Sequence, residues 1–141
     1  MWGYIATFVG GVAIGIVVDK LVEKVKMDTK IKFSEALEQC FGEPMYTNCF
    51  TLKDVRDWLK SREELLTENT KAVIMKAKPE ILKEFESSLD FSNGAENTLI
   101  IAIVDSEEKK IVASLLVKYE KLDDTLENAL AKGNGMMVVE K

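Results

Sequence analysis

The sequence predicts a single α+β domain that is attached to one N-terminal transmembrane helix. Three observations lead to this fold class. The first eighteen residues carry no charged side chain, later segments show apolar residues at helical spacing, and two β-branched runs flank a polar turn at 105–109. We expect the domain to hold a mixed or antiparallel sheet of four to five strands, packed with about four helices.

The uncharged run 2–18 is the predicted membrane segment. As a helix its 17 residues span about 25 Å, near the low end for a hydrocarbon core of about 30 Å. Trp2 and Tyr4 suit the headgroup interface at one end of the run. Lys20 and Lys24 lie beyond the other end, where their long side chains can extend to the lipid phosphates.

The distribution of lysines predicts the orientation of this helix. Residues 19–32 hold five lysines against three acidic residues, and no lysine precedes the uncharged run. The positive-inside rule then places the N-terminus outside and the rest of the chain in the cytoplasm. The predicted divisions are a transmembrane anchor (1–18), a basic amphipathic neck (19–32) and an acidic cytoplasmic domain (33–141), with one helix continuing from about residue 4 to 27.

Three alternatives to a membrane anchor remain open. A secretory signal peptide normally has a positive segment before the apolar run and small residues at a cleavage site after it, and neither pattern is present. A buried core helix of a soluble protein is normally shorter and has a polar face. A hydrophobic tail that packs inside a larger assembly has the same composition as a membrane span.

Small residues recur every four positions along the uncharged run, at Gly3, Thr7, Gly11 and Gly15. On a helix these positions fall on one slowly drifting face, along which a second helix can approach closely. Thr7 can add an interhelical hydrogen bond. We therefore predict that the helix associates with itself or with another membrane protein, within the lipid bilayer.

The domain is predicted element by element from capping residues and apolar periodicity. Ser34 and Thr51 are expected to cap helices, Pro79 to begin one, and Gly42 and Gly133 to end two. The predicted helices are 34–41, 52–66, 79–89 and 122–131, and the predicted strands are 45–50, 71–77, 98–104, 110–119 and 136–139. The run 99–104 is apolar at consecutive positions, which predicts a central strand that is covered from both sides or uses one face in assembly.

No motif in the sequence predicts a catalytic, metal or cofactor site. Histidine is absent, which removes the commonest general base and zinc ligand. Cys40 and Cys49 lack the spacing of a redox or zinc pair and are interpreted as reduced packing residues. Trp58 lies on an apolar helical stripe and is expected in the core. The acidic pairs at 63–64, 107–108 and 123–124 are interpreted as solvated surface.

These observations favour a membrane-anchored interaction or regulatory module that presents its domain to protein partners. The polar loop 86–97 is the predicted partner-binding surface. The acidic domain makes nucleic acid an unsuitable partner, since it repels phosphate backbones. Two alternatives from other classes stay open: a small pore-forming or membrane-active subunit, and a membrane-tethered enzyme that works without histidine.

Overall fold

Five strands form a mixed β-sheet between two layers of helices, and a short N-terminal strand extends this sheet at one edge. The computed structural model describes residues 3–5, 11–27, 33–77, 97–133 and 135–140. The strands are β1 (Gly3–Ile5), β2 (Pro44–Phe50), β3 (Thr70–Lys76), β4 (Thr98–Asp105), β5 (Lys110–Leu122) and β6 (Met136–Glu140). The helices are α1 (Gly11–Met27), α2 (Phe33–Phe41), α3 (Leu52–Lys60) and α4 (Asp124–Lys132), with a 3-10 turn at Glu63–Leu65.

The strand order is β1-β6-β3-β4-β5-β2. Every neighbouring pair is antiparallel except β2 and β5, which are parallel. The predicted α+β class and mixed sheet are confirmed, and the five predicted strands correspond to β2 through β6. The strand β1 was not predicted, because its residues belong to the uncharged run that is predicted to form a helix.

Strand β4 lies in the middle of the sheet, and the prediction of a strand covered on both sides is confirmed. Its residues from Thr98 to Val104 are all buried. Ile101 lies opposite Ile74 of β3 and Leu115 of β5. Because successive side chains of a strand point to opposite faces, a wholly apolar strand needs an apolar layer on each side.

The two faces of the sheet are covered by different helices. On the first, here called the α1 face, α1 and α2 pack against alternate residues of the central strands, including Val73, Ala102 and Val138. On the second, the α3 face, α3 and α4 pack against the intervening residues, including Ile74, Ile101 and Val139. The sheet is therefore the middle layer of three.

Helix α1 begins at Gly11, which corrects the prediction of one helix from about residue 4. The backbone of Tyr4 instead pairs with Val139 of β6 as part of β1. Five apolar side chains of α1 are 0–2% exposed within the core of the α1 face: Ala13, Ile14, Val17, Val18 and Leu21. This packing matches the core-helix alternative, and α1 shares one core with α2 across the predicted division at residue 32.

Among the residues that the structure describes, no helix is long and apolar enough to cross a membrane.

Local capping fixes the helices of the α3 face. The predicted cap at Thr51 is confirmed, and it is a full capping box. The Thr51 hydroxyl accepts a hydrogen bond from the Asp54 amide at 3.0 Å, and the Asp54 carboxylate accepts one from the Thr51 amide at 3.0 Å. Asp123 caps α4 by accepting from the Leu126 amide at 2.9 Å. Helix α4 therefore begins later than predicted, because Leu122 is still the last residue of β5.

Two predicted segments of the domain lie outside the described residues. They are the helix at 79–89 and the polar loop 86–97, of which only Asn97 is described.

Replacing Ile101 by alanine is expected to lower the free energy of unfolding by about 2–5 kcal/mol. The substitution leaves a cavity, and the tightly packed neighbours of the central strand cannot move far enough to fill it. The matched control is Ile111→Ala, since Ile111 is only partly buried at the start of β5. Urea denaturation of both variants measures the difference. An equal decrease in the free energy of unfolding for the two variants would contradict the central position of β4 in the sheet.

Candidate functional site

Strand β2 is an edge strand whose composition is unusual for that position. One side of β2 pairs with β5, and no described strand pairs with its other side. Edge strands usually carry charged residues that prevent pairing with other chains. The seven residues of β2 include no charged side chain, although 30% of the whole chain is charged. Pro44 blocks pairing only at the first residue of this edge.

Two large apolar side chains are exposed on this edge strand. The side chain of Tyr46 is 72% exposed and that of Met45 is 41% exposed. Both lie next to β5, where Met45 pairs with Val117 and Tyr46 with Lys118. An aromatic and a methionine side chain at an open edge are residue types that protein interfaces favour.

A hollow of about 350 Å³ lies between β2 and α3. Its lining combines strand residues with the exposed side of α3: Met45, Tyr46, Thr47, Phe50, Asp54, Trp58 and Leu115. The guanidinium carbon of Arg62 lies 4.4 Å from the centre of the Trp58 ring, within the range of a cation–π interaction. Trp58 packs against the core as predicted, but it also offers part of its ring to this hollow.

A second, more polar hollow of about 530 Å³ adjoins the same strand. It is lined by Tyr46, Thr47, Asn48, Asn97, Lys118, Tyr119 and Glu120. The ammonium nitrogen of Lys118 lies 5.7 Å from the centre of the Tyr46 ring. Tyr46 therefore borders both hollows. We call Met45, Tyr46, Thr47 and the two hollows the β2 edge site.

Tyr119 is half-buried at the wall of the polar hollow, and the negative charge of the exposed Glu127 on α4 acts on its phenol. Burial and the negative charge of Glu127 together raise the pKa of the Tyr119 phenol above its ordinary value. Glu127 is itself paired with Lys76, whose nitrogen lies 2.6 Å from the carboxylate oxygen. At neutral pH the phenol of Tyr119 is thus a neutral hydrogen-bonding group at the wall of the polar hollow.

The predicted association residues do not lie on one helix. Gly3 belongs to β1 and pairs with Glu140, whereas Gly11 and Gly15 lie one turn apart in α1. Thr7 lies outside the described residues. A methyl group built on Gly15 would have no neighbour within 4 Å, so the space beside this glycine is open. The association of Gly11 and Gly15 with another helix stays a prediction.

The predicted interface residues are likewise separated. Tyr4 is in β1, Lys20 and Lys24 are in α1, and Trp2 lies outside the described residues. Lys20 is exposed. Their contact with lipid headgroups stays a prediction.

The cysteines and the acidic pairs form no chemical centre in the described part of the chain. Cys40 and Cys49 form no disulfide with each other and are partly buried, and the Cys40 thiol donates to the Lys20 carbonyl over 3.9 Å. No group of three or more acidic or cysteine side chains in that part is placed to hold a metal ion. Most of the acidic pairs are exposed as predicted, apart from the Asp123 cap of α4.

Replacing Tyr119 by phenylalanine is expected to reduce the loss of stability at alkaline pH. Because the folded state raises the pKa of this phenol, the unfolded chain releases the proton first, and stability falls as the pH rises above about 10. Urea midpoints measured between about pH 8 and pH 11 should therefore fall less steeply in the variant. Identical slopes for Tyr119→Phe and wild type would contradict the assignment.

The chain matches no known protein family, and comparisons with curated proteins and with solved structures also find no match. A fold by itself does not define a function, because function depends on the residues of a site. The residues of the β2 edge site are therefore the basis on which a function can be inferred for this chain.

Proposed function

We propose that this chain is a protein-interaction module that binds its partner along the free edge of β2. The observation that carries the proposal is the uncharged edge strand with Tyr46 and Met45 exposed between two hollows. Such an edge presents unpaired backbone N–H and C=O groups that an extended segment can pair with. The partner adds a strand to the sheet.

The two hollows provide the specificity of this binding mode. In strand addition the main-chain hydrogen bonds supply affinity, and pockets for alternate side chains distinguish one partner from another. The hollow beside α3 has an apolar wall from Phe50, Trp58 and Leu115 and suits an apolar side chain. The hollow beside Lys118 and Glu120 suits a polar one. A partner strand with apolar and polar residues in alternation fits both.

A partner can bind the outer side of β2 without changing the contacts that hold the rest of the fold. Strand β2 pairs with β5 on its inner side, and Phe50 at its end is buried in the core of the α3 face. A partner that pairs with the outer side need not disturb these contacts. We therefore expect binding with little movement of the backbone, as in other preformed interfaces.

The membrane anchor at residues 1–18 is not required for this activity and stays a prediction. An uncharged run followed by five lysines supports it. The burial of Ile14, Val17 and Leu21 in the core opposes it, because one side chain cannot lie in hydrocarbon and against the sheet at once. Insertion of these residues would uncover the α1 face around Val73 and Val138.

A photo-crosslinking amino acid at position 46 is expected to form covalent adducts with a partner protein in cells. The matched control is the same amino acid at Asn128, which is exposed on α4 and lines neither hollow. Adduct masses on a denaturing gel, followed by peptide mass spectrometry, identify what has been captured. If position 46 gives no adduct, or both positions give the same ones, the proposed function is wrong.

Removal of the residues before Lys32 is expected to destabilise the domain and to expose apolar surface. The loss of α1 uncovers the α1 face of the sheet, and exposed apolar area costs roughly 25 cal/mol per Å². Urea denaturation and binding of a hydrophobic dye compare the shortened chain with the full one. A shortened chain that is as stable as the full one and binds no dye, together with recovery of the full chain in the membrane fraction, would instead support the anchor.

A further inference from the structure

We propose that the occupant of the β2 edge is a second copy of this chain, which pairs its own β2 in antiparallel orientation about a two-fold axis. This inference rests on the proposed function, since it uses the same edge. A two-fold interface brings the same surface of both copies together and must be complementary to itself. The two sheets then continue into one another across the axis.

The absence of charge from β2 is what makes this edge complementary to itself. Each copy carries a formal net charge of −5, so two copies repel one another over most approaches. Like charges directly opposite one another on neighbouring strands are also destabilising. Two copies of Pro44–Phe50 bring no charged side chain into opposition. This edge is therefore a surface at which copies can meet at low electrostatic cost.

The side chains of the edge also match themselves across a two-fold axis. A register centred on Thr47, the middle residue of β2, pairs the largest number of residues. In that register Tyr46 lies opposite Asn48 of the second copy, and the two Tyr46 side chains lie on one diagonal. Diagonal neighbours across antiparallel strands are about 7–8 Å apart, within reach of aromatic side chains.

Exposed apolar groups next to the edge become covered in such a dimer. Met45 lies opposite Cys49 of the second copy, beside the hollow that contains Trp58. Tyrosine, tryptophan and arginine are the residue types that contribute most to binding at interfaces. Trp58 lines this hollow on each copy, and the Arg62 guanidinium lies over its ring. The dimer thus covers the Tyr46 and Met45 side chains that an isolated chain leaves exposed.

Charge substitution at Tyr46 tests this inference on the full-length chain. The wild type is expected to sediment at twice the chain mass of 15.8 kDa and to dissociate on dilution. Within each copy, the carboxylate of Tyr46→Glu lies beside the positive charge of Lys118. Across the two-fold axis it faces the same carboxylate of the second copy, and the two negative charges repel one another. Because the substitution acts twice, we expect the dissociation constant to rise at least about tenfold. Tyr46→Lys should weaken the dimer similarly.

Mixing the two variants distinguishes a second copy from any other partner. Tyr46→Glu and Tyr46→Lys carry opposite charges, so an equimolar mixture should recover dimers that neither forms alone. Asn128→Glu adds the same charge on α4 and should leave the wild-type dimer unchanged. We expect all three variants to be folded, since both positions are exposed, and thermal unfolding followed by circular dichroism measures this.

A wild-type chain that stays monomeric at all concentrations, a dimer that Tyr46→Glu leaves intact, or a mixture that fails to recover dimers would overturn the inference. The crosslinks at position 46 separate this failure from that of the proposed function. If the wild type is monomeric and position 46 forms adducts with a different protein, the edge is a binding site but its occupant is not a second copy. If the wild type is monomeric and position 46 forms no adducts, both the proposed function and the dimer are contradicted.

Discussion

The structure depends on the burial of the central strands from both sides. Every side chain of β4 from Thr98 to Val104 is buried, and so are Ala72 to Met75 of β3. A strand of this composition is stable only if each face of the sheet has an apolar layer. The fold meets this requirement with α1 and α2 on one face and α3 and α4 on the other. The sheet order follows, because the strands with two apolar faces occupy the middle.

The same requirement explains the position of the N-terminal helix. Composition alone does not separate a helix that is solvated by lipid from one that faces a sheet, since both environments select uncharged apolar side chains. Among the described helices α2 is the other one on the α1 face, and its nine residues are too few to cover that face. Ile14, Val17 and Leu21 complete the layer. The polar residues Asp19, Lys20 and Glu23 lie on the exposed side of α1, so the helix has the polar face of a core helix after its first turns.

The sequence predicts local elements of this fold well and long-range ones poorly. The five strands β2–β6, the cap at Thr51 and the glycine after α2 follow from patterns within a few residues, and Gly42 indeed has a positive φ of 98°. Strand β1 was missed because its three residues acquire their conformation from β6, more than a hundred positions away. The β2 edge site was missed for a related reason. Which strand lies at an edge is a property of the sheet order, although the absence of charge in 44–50 was visible beforehand.

An uncharged edge is a hazard for an isolated protein, because it invites pairing with any extended chain. The opposite edge of this sheet ends in the short β1, whose three residues offer few backbone groups. The β2 edge has seven residues and two exposed apolar side chains, and only Pro44 restricts it. One end of the sheet is thus limited in length while the other stays open. This asymmetry is understandable if a specific partner strand normally pairs with the open edge. Such pairing prevents association with other extended chains, and its hydrogen bonds and apolar contacts also provide the binding energy.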